Sequence, residues 1–221
     1  MFSKESSRVK AFLFTILASA LLVAVSPQLP HGLALLAIGF LIIIIFNFFA
    51  LAENNLSKYA AFCFIVQLGY VVLDIGIAVA SGKAPYLAGI QAANFFFAGS
   101  LFLASIKGKD FNNLKTNNYS LIGIAVSAMA LAGLPGFNLF VGEYFLYILA
   151  FDLNPVILGI CFLCSLLTLF ACLKIVSHAF SQGIQEKPSA FLKLKIIPLS
   201  AICIILGIIP WIQIMIFEAI I

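Results

Sequence analysis

Ala130-Leu131-Ala132-Gly133-Leu134-Pro135-Gly136-Phe137-Asn138-Leu139-Phe140-Val141-Gly142-Glu143 interrupts an apolar segment that extends over residues 119–151. Glycine adopts backbone conformations that other residues avoid. Proline removes an amide donor and clashes with the preceding helical turn. Gly133, Pro135 and Gly136 therefore predict a hinge inside the segment. Each half, about 15 residues, forms a helix roughly 22 Å long, shorter than the ~30 Å hydrocarbon core of a bilayer. The segment is either two short spans or one broken helix over 119–151. A break at membrane depth survives only where protein or water covers the freed backbone groups. In transporters such breaks mark ion sites.

The rest of the chain has the composition of a membrane protein. Of 221 residues, 64% are hydrophobic and 9% are charged. A soluble domain is about 25% charged. Uncharged runs at 11–28, 32–52, 86–106 and 196–217 each reach the length of a transmembrane helix. Barrel strands alternate polar and apolar over about ten residues; these runs are continuous and longer. The fold class is all-α, a polytopic transmembrane bundle in a single domain, 1–221. An N-terminal tail occupies 1–8 and helices occupy 9–220. Helices are expected near 8–28, 32–52, 58–81, 86–106, 155–180 and 194–220, with a turn at Pro27 and Pro30 and a bend at Pro210.

Charge chooses between two spans and one broken helix. With the N-terminus cytoplasmic and a single broken span, Lys4, Arg8, Lys10, Lys58, Lys107, Lys109, Lys115, Lys187, Lys193 and Lys195 all fall on the cytoplasmic side, and Lys174 snorkels the same way. Lys83 alone falls outside. Two separate spans would move four of these lysines across. Positive-inside bias selects the broken helix and seven crossings of the cell membrane.

Glu143 is the leading functional candidate. A carboxyl within an apolar span is costly and marks function by default; the alternative is a protonated or hydrogen-bonded group that serves packing. Asp74 is a second intramembrane acid, either on a polar path with Glu143 or near the outer surface. Asn47, Gln67, Gln91, Asn94, Asn138 and Thr168 are polar neutral residues that hold waters between helices or serve as ordinary interhelical partners. Lys174 is either a path residue or a snorkelling anchor.

Other chemistries find no support. Five cysteines lie in apolar runs, and Cys161 and Cys164 form a C-x-x-C. No second pair completes a set of zinc or iron–sulfur ligands, so both read as small apolar residues on one helix face. His31 and His178 fall at span ends. No Ser/His/Asp set, phosphate loop or basic, aromatic-laced patch for nucleic acid appears. Ala24-Val25-Ser26 loosely imitates a signal-peptide cleavage site, but Pro27 and further spans follow, which favours an uncleaved first helix.

The interrupted stretch resembles the signature of antiporter-like membrane subunits found in respiratory complex I, Mrp-type cation/proton antiporters and energy-converting membrane hydrogenases. Asn55-Leu56-Ser57-Lys58-Tyr59-Ala60-Ala61-Phe62-Cys63-Phe64-Ile65-Val66-Gln67-Leu68-Gly69-Tyr70 is similar to a second family pattern, D-L-K-R-L-L-A-Y-S-x-I-x-Q-x-G-Y. The resemblance covers roughly 32–174. It implies that Glu143 is the proton-channel carboxyl of the discontinuous helix. Together with the polar residues read above, the expected ion path runs through Glu143, Asp74, Lys174, Asn94, Gln67 and Asn138, with the hinge at Gly133, Pro135 and Gly136. Family members are about twice as long, and this chain resembles their second half. The family's H-x-x-x-K aligns with Asn94 and Ala98, so its central lysine is missing, and Asn55 and Ser57 replace an acid and a lysine. The resemblance therefore implies an accessory subunit of a multisubunit ion-translocating redox complex, an energy-converting [NiFe] hydrogenase above others. Its partners would be other membrane subunits. No cofactor is expected in this chain; nickel-iron and iron–sulfur clusters would belong to the partners. A non-conducting structural subunit is the first alternative and a free-standing secondary transporter the second.

Overall fold

The computed structural model describes residues 2–25, 31–83, 86–111, 114, 117–182 and 190–218. Pro27, Pro30, Lys115 and Lys187, invoked above for turns and charge bias, lie outside the described residues. The described chain is helical in the order α1 (Phe2–Val25), α2 (Gly32–Ala52), α3 (Leu56–Ala80), α4 (Tyr86–Ser105), α5 (Asn118–Leu131), α6 (Asn138–Leu153), α7 (Pro155–Gln182), α8 (Ala190–Ile208) and α9 (Pro210–Glu218). Five of these, α1 to α4 and α7, are long and apolar enough to cross a membrane. The chain is a multi-pass, all-α membrane bundle.

Local signals set the ends. Asn55 caps α3 by accepting from the amides of Ser57 (2.9 Å) and Lys58 (3.3 Å), and Asn117 caps α5 by accepting from Ser120 (2.8 Å). Pro210 starts α9, where a missing amide donor is harmless. Helix α1 already begins at Phe2, and Arg8 is buried. Its guanidinium donates to Ser57 Oγ (2.9 Å) and to the carbonyls of Ile106 (2.9 Å) and Lys109 (2.6 Å), and it pairs with Asp110 at 3.4 Å. The guanidinium satisfies the freed carbonyls beyond the end of α4, and these bonds hold the start of α1 against the bundle.

Helix α3 is the central element, with 78% of its span window buried. It packs on α1, α2, α4 and α6. Close approach of α2 needs glycine: a Cβ on Gly39 would strike the backbone of Leu73, and one on Gly76 would strike the backbone of Leu36. Small residues at such contacts let membrane helices pack tightly. Tyr59, Phe64, Phe95 and Phe102 fill the interior, while Leu17, Leu33, Leu163 and Phe170 face outward. An apolar exterior is the expected surface toward lipid.

Helices α5 and α6 scarcely touch each other, yet both pack on α4, α7 and α8. They are not a hairpin. Lys109 at one end of the bundle donates to Ser120 near the start of α5 (2.8 Å), and Lys83 at the other end pairs with Asp152 at the close of α6 (3.2 Å). The start of α5 and the close of α6 therefore lie at opposite ends of the bundle.

Candidate functional site

The site is built around the interruption. Helix α5 ends in a Schellman turn: Leu134 N donates to Met129 O (3.2 Å) and Gly133 N to Ala130 O (3.0 Å), with Gly133 at φ +65°. A second turn follows at once, in which Phe137 N donates to Leu134 O (3.1 Å) across Pro135 and Gly136, the latter at φ +92°. Proline then a positive-φ glycine is the pattern of a type II turn. Other helices cover the exposed backbone. Gln67 Nε2 from α3 donates to Leu131 O at 2.9 Å. Gly207 of α8 lies so close to the Gly136–Phe137 backbone that a Cβ there would collide with it.

Glu143 is 1% exposed, one turn into α6. Its carboxyl lies directly against Gly133, where any Cβ would meet Oε1, Oε2 and Cδ. Oε2 accepts from the hydroxyls of Tyr147 (2.7 Å) and Ser165 (3.0 Å), which are themselves 2.6 Å apart. Oε1 has no hydrogen-bond partner among the described residues. Ser165 lies 3.3 Å from Tyr70 OH, which lies 3.1 Å from Thr168 Oγ1; Asn47 Nδ2 donates to that oxygen at 2.8 Å.

The other sequence candidates divide into two groups. Asn138 Nδ2 donates to Asn94 O (2.8 Å), and Asn94 Nδ2 donates to Gln213 Oε1 (2.7 Å), which ties α6, α4 and α9 together beside the break. Asp74 is 3% exposed, and neither of its oxygens has a partner among the described residues. Gln67 Oε1, Asn138 Oδ1 and both polar atoms of Gln91 are also buried without partners, and the Gln91 amide lies against Gly142. Most of these atoms are acceptors. Buried acceptors without donors are costly and favour the arrival of a proton, a water or a cation. Lys174 lies apart. Its ammonium donates to the carbonyls of Ala50 (3.3 Å), Leu51 (2.8 Å) and Glu53 (2.6 Å) and so caps the C-terminus of α2. The five cysteines are free and buried.

Tyr147, Ser165 and Tyr70 were not singled out in the sequence. Tyr147 follows Glu143 by one helical turn, the spacing that brings two side chains onto one face. That spacing was the available signal. Ser165 and Tyr70 reach the site only through tertiary packing.

No protein-family model matches the chain. It is similar to a Na(+)/H(+) antiporter subunit of Alkalihalophilus pseudofirmus, 32% identical over 176 residues, which are 72% of this chain and 35% of that protein. It is also similar to an NADH-quinone oxidoreductase subunit of Phocaeicola vulgatus, 31% identical over 119 residues, 49% of this chain and 25% of that one. In both cases this chain spans well under half of the relative's length. Among solved structures, it superposes on a chain of the Mrp complex from Dietzia sp. with a TM-score of 0.67 at 18% identity, over 81% of this chain and 22% of the other. That likeness establishes a shared fold.

Proposed function

Because this chain is homologous to antiporter-like membrane subunits, we propose that it is an accessory subunit of a multisubunit ion-translocating membrane complex and that Glu143 carries the ion in transit. One observation supports this most: a buried carboxyl lies against the glycine of a broken helix, with one oxygen unpartnered. A packing role would leave both oxygens satisfied. Gln67, Asn94, Asn138 and Asp74 line the same region and complete the path. Gly133, Pro135 and Gly136 hold the hinge open for the carboxyl. Lys174, fixed to three carbonyls, anchors the cytoplasmic end of α2, and the N-terminus is cytoplasmic.

At the finer level, the complex is an energy-converting [NiFe] hydrogenase, with nickel-iron and iron–sulfur clusters in partner subunits. Purification of the intact complex, metal analysis and a hydrogen-evolution assay test that assignment; a complex without nickel removes it. The ion-path role is tested by Glu143→Gln in the native complex, with ion uptake and redox turnover measured in sealed vesicles. Loss of uptake with redox turnover retained is the expected result. Normal coupling in an assembled complex would reassign the chain as a structural subunit. That reading draws on Ala98, which stands where the family pattern has its lysine. A stable isolated monomer that transports ions would favour a free-standing transporter.

A further inference from the structure

Glu143, Ser165, Tyr70, Thr168 and Asn47 lie on α6, α7, α3, α7 and α2, and each is hydrogen-bonded to the next, at 3.0, 3.3, 3.1 and 2.8 Å. Glu143 and Thr168 are joined only by hydroxyls. A hydroxyl both donates and accepts, so it can take a proton on its oxygen and release its own. Asn47 is different. Its Nδ2 can only donate to Thr168, which turns the Thr168 proton away from α2, toward Tyr70 or the Cys164 carbonyl (3.0 Å) that it also reaches. The amide therefore leaves the Thr168 proton for Tyr70 or the Cys164 carbonyl, and the bond with a set direction toward Glu143 is that from Ser165.

We propose that Thr168, Tyr70 and Ser165 form a proton relay between Glu143 and the contact of α2 with α7. The relay rests on the reading of Glu143 as an ion-path carboxyl. The two carboxyl oxygens then have separate duties. Both oxygens lie against Gly133, but Oε1 has no partner among the described residues while Oε2 is bonded to the relay. For a proton moving toward Glu143, a hydrated proton in water at Thr168 binds Oγ1 as the Thr168 O–H bond breaks. The released proton joins Tyr70 Oη, the Tyr70 proton joins Ser165 Oγ, and the Ser165 proton joins Oε2. Each hydroxyl loses one O–H bond and gains one. Water gives up one proton and the carboxylate becomes an acid. No hydroxyl ends with a charge, and rotation about the C–O bonds resets the chain.

Tyr70→Phe and Thr168→Val each delete one hydroxyl with little change of shape. Tyr59→Phe is the matched control: Tyr59 is a buried tyrosine on the same helix, and its hydroxyl also bonds α7, at Ala171 O (2.8 Å), off the relay. Proton uptake driven by redox turnover is measured in sealed vesicles of the assembled complex, in H2O and D2O, with Glu143→Gln alongside. Uptake in Tyr70→Phe and Thr168→Val is expected to fall by roughly tenfold or more, with a changed solvent isotope effect, given what positioned proton transfer commonly contributes. Thr168→Ser should restore it, and Tyr59→Phe should match the native complex. If Glu143→Gln abolishes uptake but Tyr70→Phe and Thr168→Val do not lower it, the relay is wrong and the role of Glu143 stands. If Glu143→Gln couples normally, both fall. If Tyr59→Phe is as slow as Tyr70→Phe, or Thr168→Ser as slow as Thr168→Val, the effect is packing and the relay is overturned.

Discussion

Gly133 and Glu143 are one device at the scale of single residues. The glycine gives the left-handed turn that ends α5, and its missing side chain leaves the space that the carboxyl occupies. Gly133→Ala imposes both a strained backbone and a collision with Glu143. Backbone strain of this kind costs about 1–3 kcal/mol, so a lower unfolding temperature of the purified complex is expected, together with impaired ion uptake. Unchanged uptake would separate the carboxyl from the break. Arg8 tests a different claim. Its bonds to Ser57, Ile106 and Lys109 hold α1 to the ends of α3 and α4. Hydrogen bonds from a charged donor contribute about 1.5–3 kcal/mol, so Arg8→Met should weaken the bundle by about 2 kcal/mol or more, read as earlier thermal loss of helicity in detergent. Glu143 was legible in the sequence because an acid inside an apolar run is conspicuous. Arg8 was read as part of a tail, because a cation just before an apolar run looks the same whether solvated or buried. What buries it lies far along the chain, in carbonyls that only tertiary packing delivers.

Individual elements show why the break could be read and its lining could not. Glycine and proline alter the backbone wherever they stand, so the hinge at Gly133, Pro135 and Gly136 follows from local chemistry. The partners that make it tolerable come from elsewhere: Gln67 on α3 and Gly207 on α8. A hydroxyl or amide in a membrane helix looks the same whether it is a structural bond or part of a path, which is why Ser165 and Tyr70 passed unnoticed. The covering role of α3 is testable. Gln67→Leu keeps the volume but removes the donor to Leu131 O. An intramembrane hydrogen bond contributes up to about 1–2 kcal/mol, and a loss of that size in the unfolding free energy is expected. Faster deuterium exchange at the amides of 131–137 should accompany it. No change in exchange there would mean that α3 does not stabilise the break.

The whole molecule has two unlike ends. Arg8, Lys109 and Lys174 gather at one: Arg8 and Lys174 bond carbonyls at and beyond the C-terminal ends of α4 and α2, where the helix dipole is negative, and Lys109 bonds the Ser120 hydroxyl. The Lys83–Asp152 pair marks the other. The ends are joined by α3 and by a single passage through α5 and α6, which the sequence could propose only by counting lysines on each side. The count and the bonding agree because one pattern of charge serves both insertion and capping. The orientation proposed above from positive-inside bias puts the Lys174 end in the cytoplasm, and it is open to test. A cysteine introduced at exposed His178 should react with a membrane-impermeant maleimide only in inverted vesicles. One introduced at exposed Lys83, or at Asp152, should react only in right-side-out vesicles. The five native cysteines are buried and leave a low background. Labelling of Lys83→Cys and Asp152→Cys from opposite sides would break the single passage through α5 and α6, and with it the placement of Glu143 at mid-span. Labelling from the same side but in inverted vesicles would keep the fold, reverse the orientation, and send ions past Glu143 in the opposite direction.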